Sequence, residues 1–241
     1  MNFNTVTLGL FTFFSFAFLS HGQFGAGELV SLSISSECDQ IKPGDSTSLL
    51  IEVKVESGWH VYWKTAGQTG FPTSIAWNLP EGISMGTLQF PSPKYFEFQG
   101  LGSYVYEKTF VLLADLEVDQ DWNVSQPVSF TGEFSTLVCD EANCIPFRSE
   151  IVLTLPVGES TNINGQAAEL LALAESKLPV SLEKESLSSI HASSDIIDFS
   201  IQSALFENLA LQEFYFFPEG DFVKHGTRQN FSWDANLSRL S

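Results

Sequence analysis

The stretch Leu137-Val-Cys-Asp-Glu-Ala-Asn-Cys-Ile-Pro146 decides the fold, because it places Cys139 and Cys144 at either end of a four-residue loop. Strand-like runs flank the loop at residues 128–138 and 145–155. In an antiparallel hairpin the residues on either side of such a loop face each other, with Cα atoms about 4.5–5.5 Å apart. A disulfide needs a Cα separation of roughly 4.4–6.8 Å. The spacing therefore predicts a hairpin whose two thiols can open and close a bond.

The chain before this hairpin reads as a series of short strands. On the strand around residue 60, Trp59, Val61 and Trp63 fall on one face, and His60 and Tyr62 fall on the other. Further strand-like runs cover residues 29–34, 49–55, 74–79 and 104–113. About eight short strands with turn signals between them predict an all-β, immunoglobulin-like antiparallel β-sandwich, with an up-and-down barrel as the alternative.

The chain after residue 157 has a different composition. Residues 158–194 are expected to form a linker, with a short helix at 166–178 and a polar, mobile stretch at 181–194. Residues 195–241 are expected to form a partial second β unit with strands at 196–201, 210–217 and 222–233. This unit has too few strands to close a sandwich alone, so we expect it to be truncated or to pair with something absent from the chain.

The N-terminus resembles an export signal. Residues 6–19 are apolar and Phe-rich, which is the length of a signal-peptide core and short for a membrane-spanning helix. We therefore expect residues 1–22 to be a signal peptide and residues 23–157 to be the first mature domain, with a membrane anchor as the alternative. In an oxidising compartment a nearby cysteine pair is normally oxidised, and the odd third cysteine, Cys38, is left over.

Charge and motifs exclude several classes of function. The net charge of −18 argues against nucleic acid or an anionic membrane surface as a partner, since both require basic patches. The sequence contains neither a Gly-rich phosphate loop nor a zinc-protease helix motif, and we predict no cofactor. The 22 phenylalanines are enough for a sizeable core.

The residues alone leave three interpretations of the cysteine pair. It is a structural staple, a redox-active pair, or a metal site in which Cys139 and Cys144 bind Cu(I), with His60 as a further candidate ligand. His60 is either a neighbour that tunes a thiolate or an ordinary strand histidine. Phe96 and Phe98 either fill the core or form a flap.

Four segments together resemble the N-terminal periplasmic domain of the thiol:disulfide interchange protein DsbD family. The segments are Gly58-Trp-His-Val-Tyr-Trp-Lys64, Gly70-Phe-Pro-Thr-Ser-Ile-Ala-Trp-Asn-Leu-Pro-Glu-Gly82, Glu97-Phe-Gln-Gly100 followed by Tyr104-Val-Tyr106, and Cys139-Asp-Glu-Ala-Asn-Cys-Ile-Pro146. The resemblance covers about residues 29–156 and is greatest to the relatives associated with suppression of copper sensitivity.

The resemblance implies a protein-disulfide reductase component of the periplasm. It makes Cys139 and Cys144 the redox pair, Phe98 the aromatic cap, and His60, Tyr62 and Glu97 the neighbours of the active site. Periplasmic thioredoxin-like proteins are the implied partners, and cytochrome c biogenesis and copper tolerance are the associated processes. A Cu(I)-binding module and a non-catalytic binding domain with a structural disulfide remain the alternatives.

The chain departs from the family pattern in three respects. Its cysteine loop is one residue shorter than expected, and His60 stands where the resemblance leads us to expect a tyrosine. The family's membrane-embedded domain and its C-terminal thioredoxin-like domain are absent from the sequence. We therefore expect the chain to depend on an electron donor outside itself.

Overall fold

The computed structural model describes residues 25–122, 127–159, 162–182, 187–193, 196–203, 206, 214–220, 223–236 and 239–241. The predicted signal peptide, residues 1–22, lies outside these ranges. Within them, no helix combines the length and the apolar composition that crossing a membrane requires.

The described residues form two helices and fourteen strands. In chain order these are α1 (Ala26–Leu29), β1 (Val30–Ser36), β2 (Ser46–Val55), β3 (His60–Gly67), β4 (Ser74–Asn78), β5 (Ile83–Met85), β6 (Lys94–Phe98), β7 (Leu101–Tyr106), β8 (Phe110–Val118), β9 (Val128–Cys139), β10 (Cys144–Leu155), α2 (Gly165–Glu175), β11 (Leu187–Ala192), β12 (Ile197–Gln202), β13 (Trp233–Asp234) and β14 (Arg239–Leu240).

Two antiparallel sheets form the main body of the protein. The first sheet has the strand order β1-β2-β8-β5, and the second has the order β10-β9-β3-β7-β6, with β4 also paired to β9. Apolar side chains of both sheets meet in one core. The predicted immunoglobulin-like antiparallel sandwich is confirmed, because β1–β10 form two facing sheets rather than the alternative closed barrel. Strands β11–β14 form a separate four-stranded sheet with the order β11-β12-β14-β13.

The core follows from the alternation of apolar residues along each strand. Leu49, Ile51 and Val53 occupy every second position of β2, and Phe130 and Phe134 lie on the inward face of β9. Each of these side chains is at most 1% exposed. Truncating a phenylalanine buried to this degree costs about 3–5 kcal/mol. This packing holds the second sheet in place. The outward face of that sheet carries Cys139 at the end of β9.

The prediction of one long strand over residues 104–113 was wrong. The chain leaves β7 after Tyr106 and enters β8 at Phe110, and the two strands belong to different sheets. The intervening Glu107-Lys108-Thr109 is polar and turns at the surface, while the rings of Tyr106 and Phe110 stack with centroids 3.9 Å apart. Alternation alone did not reveal this crossing, because apolar residues continue on both sides of the corner.

The predicted helix is confirmed as α2, within the segment predicted to be a linker. The Asn164 side chain caps its first turn by accepting hydrogen bonds from two backbone N–H groups. Its buried face packs on the first sheet through Ala167, Leu171 and Ala174 against Leu50 and Leu113. The helix ends at Glu175, before the predicted stop at Pro179.

The C-terminal region differs from its prediction in several places. The strand predicted at 196–201 is confirmed as β12, but β11 occupies part of the stretch predicted to be mobile. The described parts of the strands predicted at 210–217 and 222–233 contain only the first residue of β13, Trp233. Tyr215 and Phe217 pack instead on the core of the first domain. Their strand-like alternation therefore reflects packing onto another element.

Candidate functional site

The predicted cysteine hairpin is present in the structure. Residues of β9 and β10 pair in register from Val128 with Leu155 up to Cys139 with Cys144. A disulfide joins Cys139 to Cys144, and their Cα atoms lie 4.2 Å apart, slightly closer than the predicted range. The four-residue loop forms the end of the hairpin.

Asp140 holds the loop closed. Its Oδ1 accepts hydrogen bonds from the backbone N–H groups of Ala142, at 2.7 Å, and Asn143, at 2.6 Å. The Asp140 N–H in turn donates to the Asn143 carbonyl at 2.9 Å. The two N–H groups, Ala142 first, lower the pKa of the Asp140 carboxyl, since they stabilise its charged form. This turn keeps the two cysteines opposite each other.

The two sulfurs have different surroundings. Cys139 is 1% exposed and belongs to an apolar cluster on the outward face of the second sheet. Cys144 is exposed. Of the two sulfurs, that of Cys144 is therefore the more accessible to another molecule.

Tyr62 contacts the buried sulfur. Its hydroxyl donates a hydrogen bond to Cys139 Sγ at 3.3 Å, and its ring is 3% exposed. Burial raises the pKa of the Tyr62 hydroxyl, although a hydrogen bond with Thr69 acts in the opposite direction. The hydroxyl therefore stays protonated at neutral pH and remains a donor to sulfur.

His60 lies directly beside Cys139 in the sheet. The two residues are register partners between β3 and β9, and His60 is 6% exposed. Burial lowers the pKa of His60 below the ordinary value of 6.5, while the charges of Glu107 and Asp140 raise it. The imidazole is therefore mainly neutral at pH 7. Strand alternation correctly predicted that His60 and Tyr62 share a face.

The β6–β7 hairpin brings Phe96 to the apolar cluster that contains Cys139. The Phe96 ring lies 4.7 Å from the His60 ring and packs on the cluster that contains Tyr62 and Cys139. Phe98, which the resemblance implies as the cap, follows two residues later on the same face and is 39% exposed. Phe96 was expected either to fill the core or to form a flap, and the resemblance implied only Phe98 as the cap. Phe96 and Phe98 alternate with Glu97, and this period of two was the signal that both rings lie on one face of the strand.

Glu97 lies on the opposite face of β6. It accepts a hydrogen bond from the Tyr95 hydroxyl at 3.0 Å, on the side away from Phe96. The structure therefore does not place Glu97 with His60 and Tyr62, contrary to the expectation from the resemblance. Alternation along a five-residue strand separates the two phenylalanines from the glutamate between them.

The segment that was expected either to fill the core or to form a flap is a regular hairpin. All five residues of β6 pair with β7, from Lys94 with Val105 to Phe98 with Leu101. Gln99 and Gly100 have φ angles of 52° and 78°, as a two-residue turn between paired strands requires. Phe96 and Phe98 therefore project from a paired strand.

The remaining candidates lie apart from this site or stay untested. Cys38 is a buried free thiol, as expected for the spare cysteine. In the part of the chain that the structure describes, no group of three or more His, Cys, Asp and Glu residues is arranged to hold a metal ion. Binding of Cu(I) by Cys139 and Cys144 remains a prediction.

Comparison with a solved structure supports the fold described above. The N-terminal domain of the ScsB protein from Proteus mirabilis, a periplasmic domain, superposes with a TM-score of 0.54 at 21% identity over 76% of this chain and 67% of that chain. The reduced DsbD N-terminal domain of Neisseria meningitidis gives a TM-score of 0.34 at 12% identity over 58% of this chain and 94% of that chain. No curated protein sequence matches the chain.

A family profile covers the sandwich and its cysteine hairpin. The profile of the N-terminal domain of the thiol:disulfide interchange protein DsbD matches residues 35–156, about half of the chain. The matched range ends one residue after β10 and contains Tyr62, Phe98 and both bonded cysteines. The chain therefore belongs to the family of DsbD N-terminal domains.

Proposed function

We propose that the chain is a periplasmic thiol-disulfide exchange module that passes reducing equivalents through Cys139 and Cys144 to exported partners with disulfides. The observation that carries this proposal is the difference between the two sulfurs. Cys144 is exposed at the tip of a hairpin, while Cys139 is buried and accepts a hydrogen bond from Tyr62. A staple needs neither an accessible sulfur nor a proton donor aimed at the other sulfur.

The exchange has two steps. In the reduced protein the Cys144 thiolate attacks one sulfur of the partner's disulfide, whose S–S bond breaks and leaves its electron pair on the partner's second sulfur. The Cys139 thiolate then attacks Cys144 Sγ, forms the intramolecular disulfide and releases the partner's first sulfur as a thiolate. Two electrons have passed to the partner.

The neighbouring side chains have separate roles in this scheme. The Tyr62 hydroxyl stabilises the Cys139 thiolate, because hydrogen bonds to charged groups are stronger than those to neutral ones. Phe96 and Phe98 cover the outward face and exclude water from Cys139. The neutral His60 ring fills the space between β9 and Phe96.

We propose exported thioredoxin-like proteins as the partners and a membrane-embedded domain outside this chain as the electron donor. The family membership supports both. The net charge of −18 favours partners with basic docking surfaces. We further propose that residues 23–157 form the redox domain and that residues 158–194 connect it to a second β unit.

Trapping with single cysteine variants tests the exchange. Cys139→Ser removes the resolving thiol, so Cys144 is expected to remain bound to its partner as a mixed disulfide on a non-reducing gel. Cys144→Ser leaves only the buried thiol and is expected to trap far less, and Cys38→Ser in either background is the matched control. If neither single variant forms a mixed disulfide with an exported thioredoxin-like protein, the exchange role is wrong.

The reduction potential separates this function from a structural staple. A staple resists reduction and has a potential below about −300 mV, whereas exchange pairs have higher potentials. Equilibration of the purified protein with glutathione or dithiothreitol buffers, followed by alkylation of free thiols, measures the value. A potential below about −300 mV would favour the non-catalytic binding domain.

A further inference from the structure

Residues 67–73 leave the end of β3 and fold back over Tyr62 of the same strand. Gly70 lies against the flat side of the Tyr62 ring with a φ angle of 94°. A Cβ atom at this position would overlap Cδ1, Cε1 and Cζ of that ring. Only glycine satisfies both the backbone angle and the close approach.

Hydrogen bonds fix this segment along its length. The Gln68 N–H donates to the Gly102 carbonyl at 2.8 Å, and the Gly102 N–H donates to Gln68 Oε1 at 2.8 Å. The hydroxyls of Thr69 and Ser103 lie 2.7 Å apart.

Hydrogen bonds also hold the C-terminal end of the segment, at Thr73. Thr73, which is 2% exposed, donates from its hydroxyl to the Tyr62 carbonyl. The Thr73 hydroxyl also lies 2.8 Å from the Thr136 hydroxyl on β9, three residues before the buried cysteine. The segment is therefore tied to β7, to β3 and to the strand that carries Cys139.

We propose that residues 67–73 are a positioning clamp that seats the Tyr62 hydroxyl on Cys139 Sγ, and that Gly70 is the positioning residue that makes this possible. Because Tyr62 is 3% exposed, its ring has little room in which to move. A side chain at position 70 would push the ring away, and the 3.3 Å hydrogen bond to sulfur would be lost.

The clamp acts on Cys139 Sγ, the sulfur that leaves when the disulfide opens. This part of the inference rests on the proposed function. When an external thiolate attacks Cys144 Sγ, a new S–S bond forms there and the Cys139–Cys144 bond breaks. The electron pair leaves on Cys139 Sγ, and the Tyr62 O–H stabilises the resulting thiolate without transferring its proton. Disulfides open faster when the leaving thiol has a lower pKa.

The rate of disulfide opening by dithiothreitol tests the clamp without any protein partner. The purified oxidised protein is mixed with excess reagent, quenched with a maleimide, and its alkylated cysteines are counted by mass. Since hydrogen bonds to charged groups contribute about 1.5 kcal/mol or more, we expect Tyr62→Phe to open roughly tenfold more slowly. Gly70→Ala is expected to slow opening by a similar factor.

The double variant distinguishes positioning from general damage. If Gly70 acts through the hydroxyl, Gly70→Ala has no further effect on the rate in the Tyr62→Phe background. Gly44→Ala is the matched control, because Gly44 has a φ angle of 82° but its nearest neighbours, atoms of Gln120, lie at ordinary contact distances from 3.6 Å. It introduces the same kind of backbone strain and is expected to leave the opening rate unchanged.

Two results would overturn the clamp. One is a folded Gly70→Ala protein that opens at the wild-type rate, and the other is an equal slowing by Gly70→Ala with and without the Tyr62 hydroxyl. Should Gly70→Ala fail to fold, Ser103→Ala takes its place, since it removes the hydroxyl that holds Thr69, whose side chain hydrogen-bonds to the Tyr62 hydroxyl. Failure to trap a protein partner would refute the proposed function and leave these rates unaffected.

Discussion

The two phenylalanines of β6 are expected to protect Cys139 unequally. Phe96 packs on the cluster that contains the buried sulfur and lies 4.7 Å from the His60 ring, whereas Phe98 is 39% exposed at the end of the strand. Truncating Phe96 to alanine therefore opens the outward face above Cys139. Truncating Phe98 removes a ring further from the sulfur.

The cost to stability is expected to be small for both variants. Phe98 retains about 60% of its roughly 200 Å² side chain in contact with protein, which corresponds to about 3 kcal/mol as an upper limit. We expect a loss of about 1–2 kcal/mol for Phe98→Ala and a comparable loss for the half-buried Phe96. Phe134→Ala, at a fully buried position, is the reference and should lose about 3–5 kcal/mol.

The assay isolates Cys139 by using a background that carries both Cys38→Ser and Cys144→Ser. Burial raises a thiol pKa, so uncovering Cys139 increases its thiolate fraction at neutral pH. One pKa unit corresponds to about a tenfold gain in alkylation by iodoacetamide, which we expect for Phe96→Ala. We expect a smaller gain for Phe98→Ala. Unchanged alkylation in both variants would refute the cap, and a gain in Phe98→Ala alone would assign the cap to Phe98.

Three further predictions concern the surroundings of the disulfide. Burial lowers the folded-state pKa of His60. The contribution of the neutral ring to the free energy of unfolding is therefore complete above pH 6.5 and is lost as the pH falls through the folded-state pKa. His60→Gln should therefore lose less stability than wild type on acidification, as urea titrations at several pH values will measure. Asp140→Ala should loosen the loop and raise the reduction potential in glutathione buffers, whereas Asp140→Asn keeps an acceptor and should change it less. Phe71, beside Gly70, is 65% exposed. Phe71→Ser should slow exchange with a protein disulfide but not with dithiothreitol. If Phe71→Ser and the wild type react with the protein disulfide at equal rates, Phe71 has no docking role.

Local patterns predicted the centre of the site. The spacing of Cys139 and Cys144 between two strand-like runs was enough to predict the hairpin, because antiparallel pairing is set locally by loop length. Period-two alternation was enough to place His60 and Tyr62 on one face. Neither inference needed to know how the two sheets pack.

Contacts between distant parts of the chain determine the features of the site that local sequence patterns did not predict. Phe96 meets the disulfide because of how β6 and β7 lie beside β3, whose register with β7 shifts between Tyr62 and Gly67. No pattern within residues 94–98 encodes that shift. The contact between Gly70 and Tyr62 likewise joins two positions eight residues apart through a turn whose path depends on anchors at Gly102 and Ser103.

Aromatic contacts on the inner face of the β6–β7 hairpin restrict how this hairpin can move. Tyr95, on the inner face of β6, stacks on Tyr215 of the C-terminal segment with centroids 4.5 Å apart, and Tyr104 of β7 also contacts Tyr215. Moving the hairpin as a flap would break these aromatic contacts together with the pairing of β7 and β3. Rotation of the Phe96 side chain would uncover Cys139 and leave both intact. We therefore expect the proposed cap to open by a change of side-chain rotamer, while the C-terminal segment stabilises the backbone of β6 and β7.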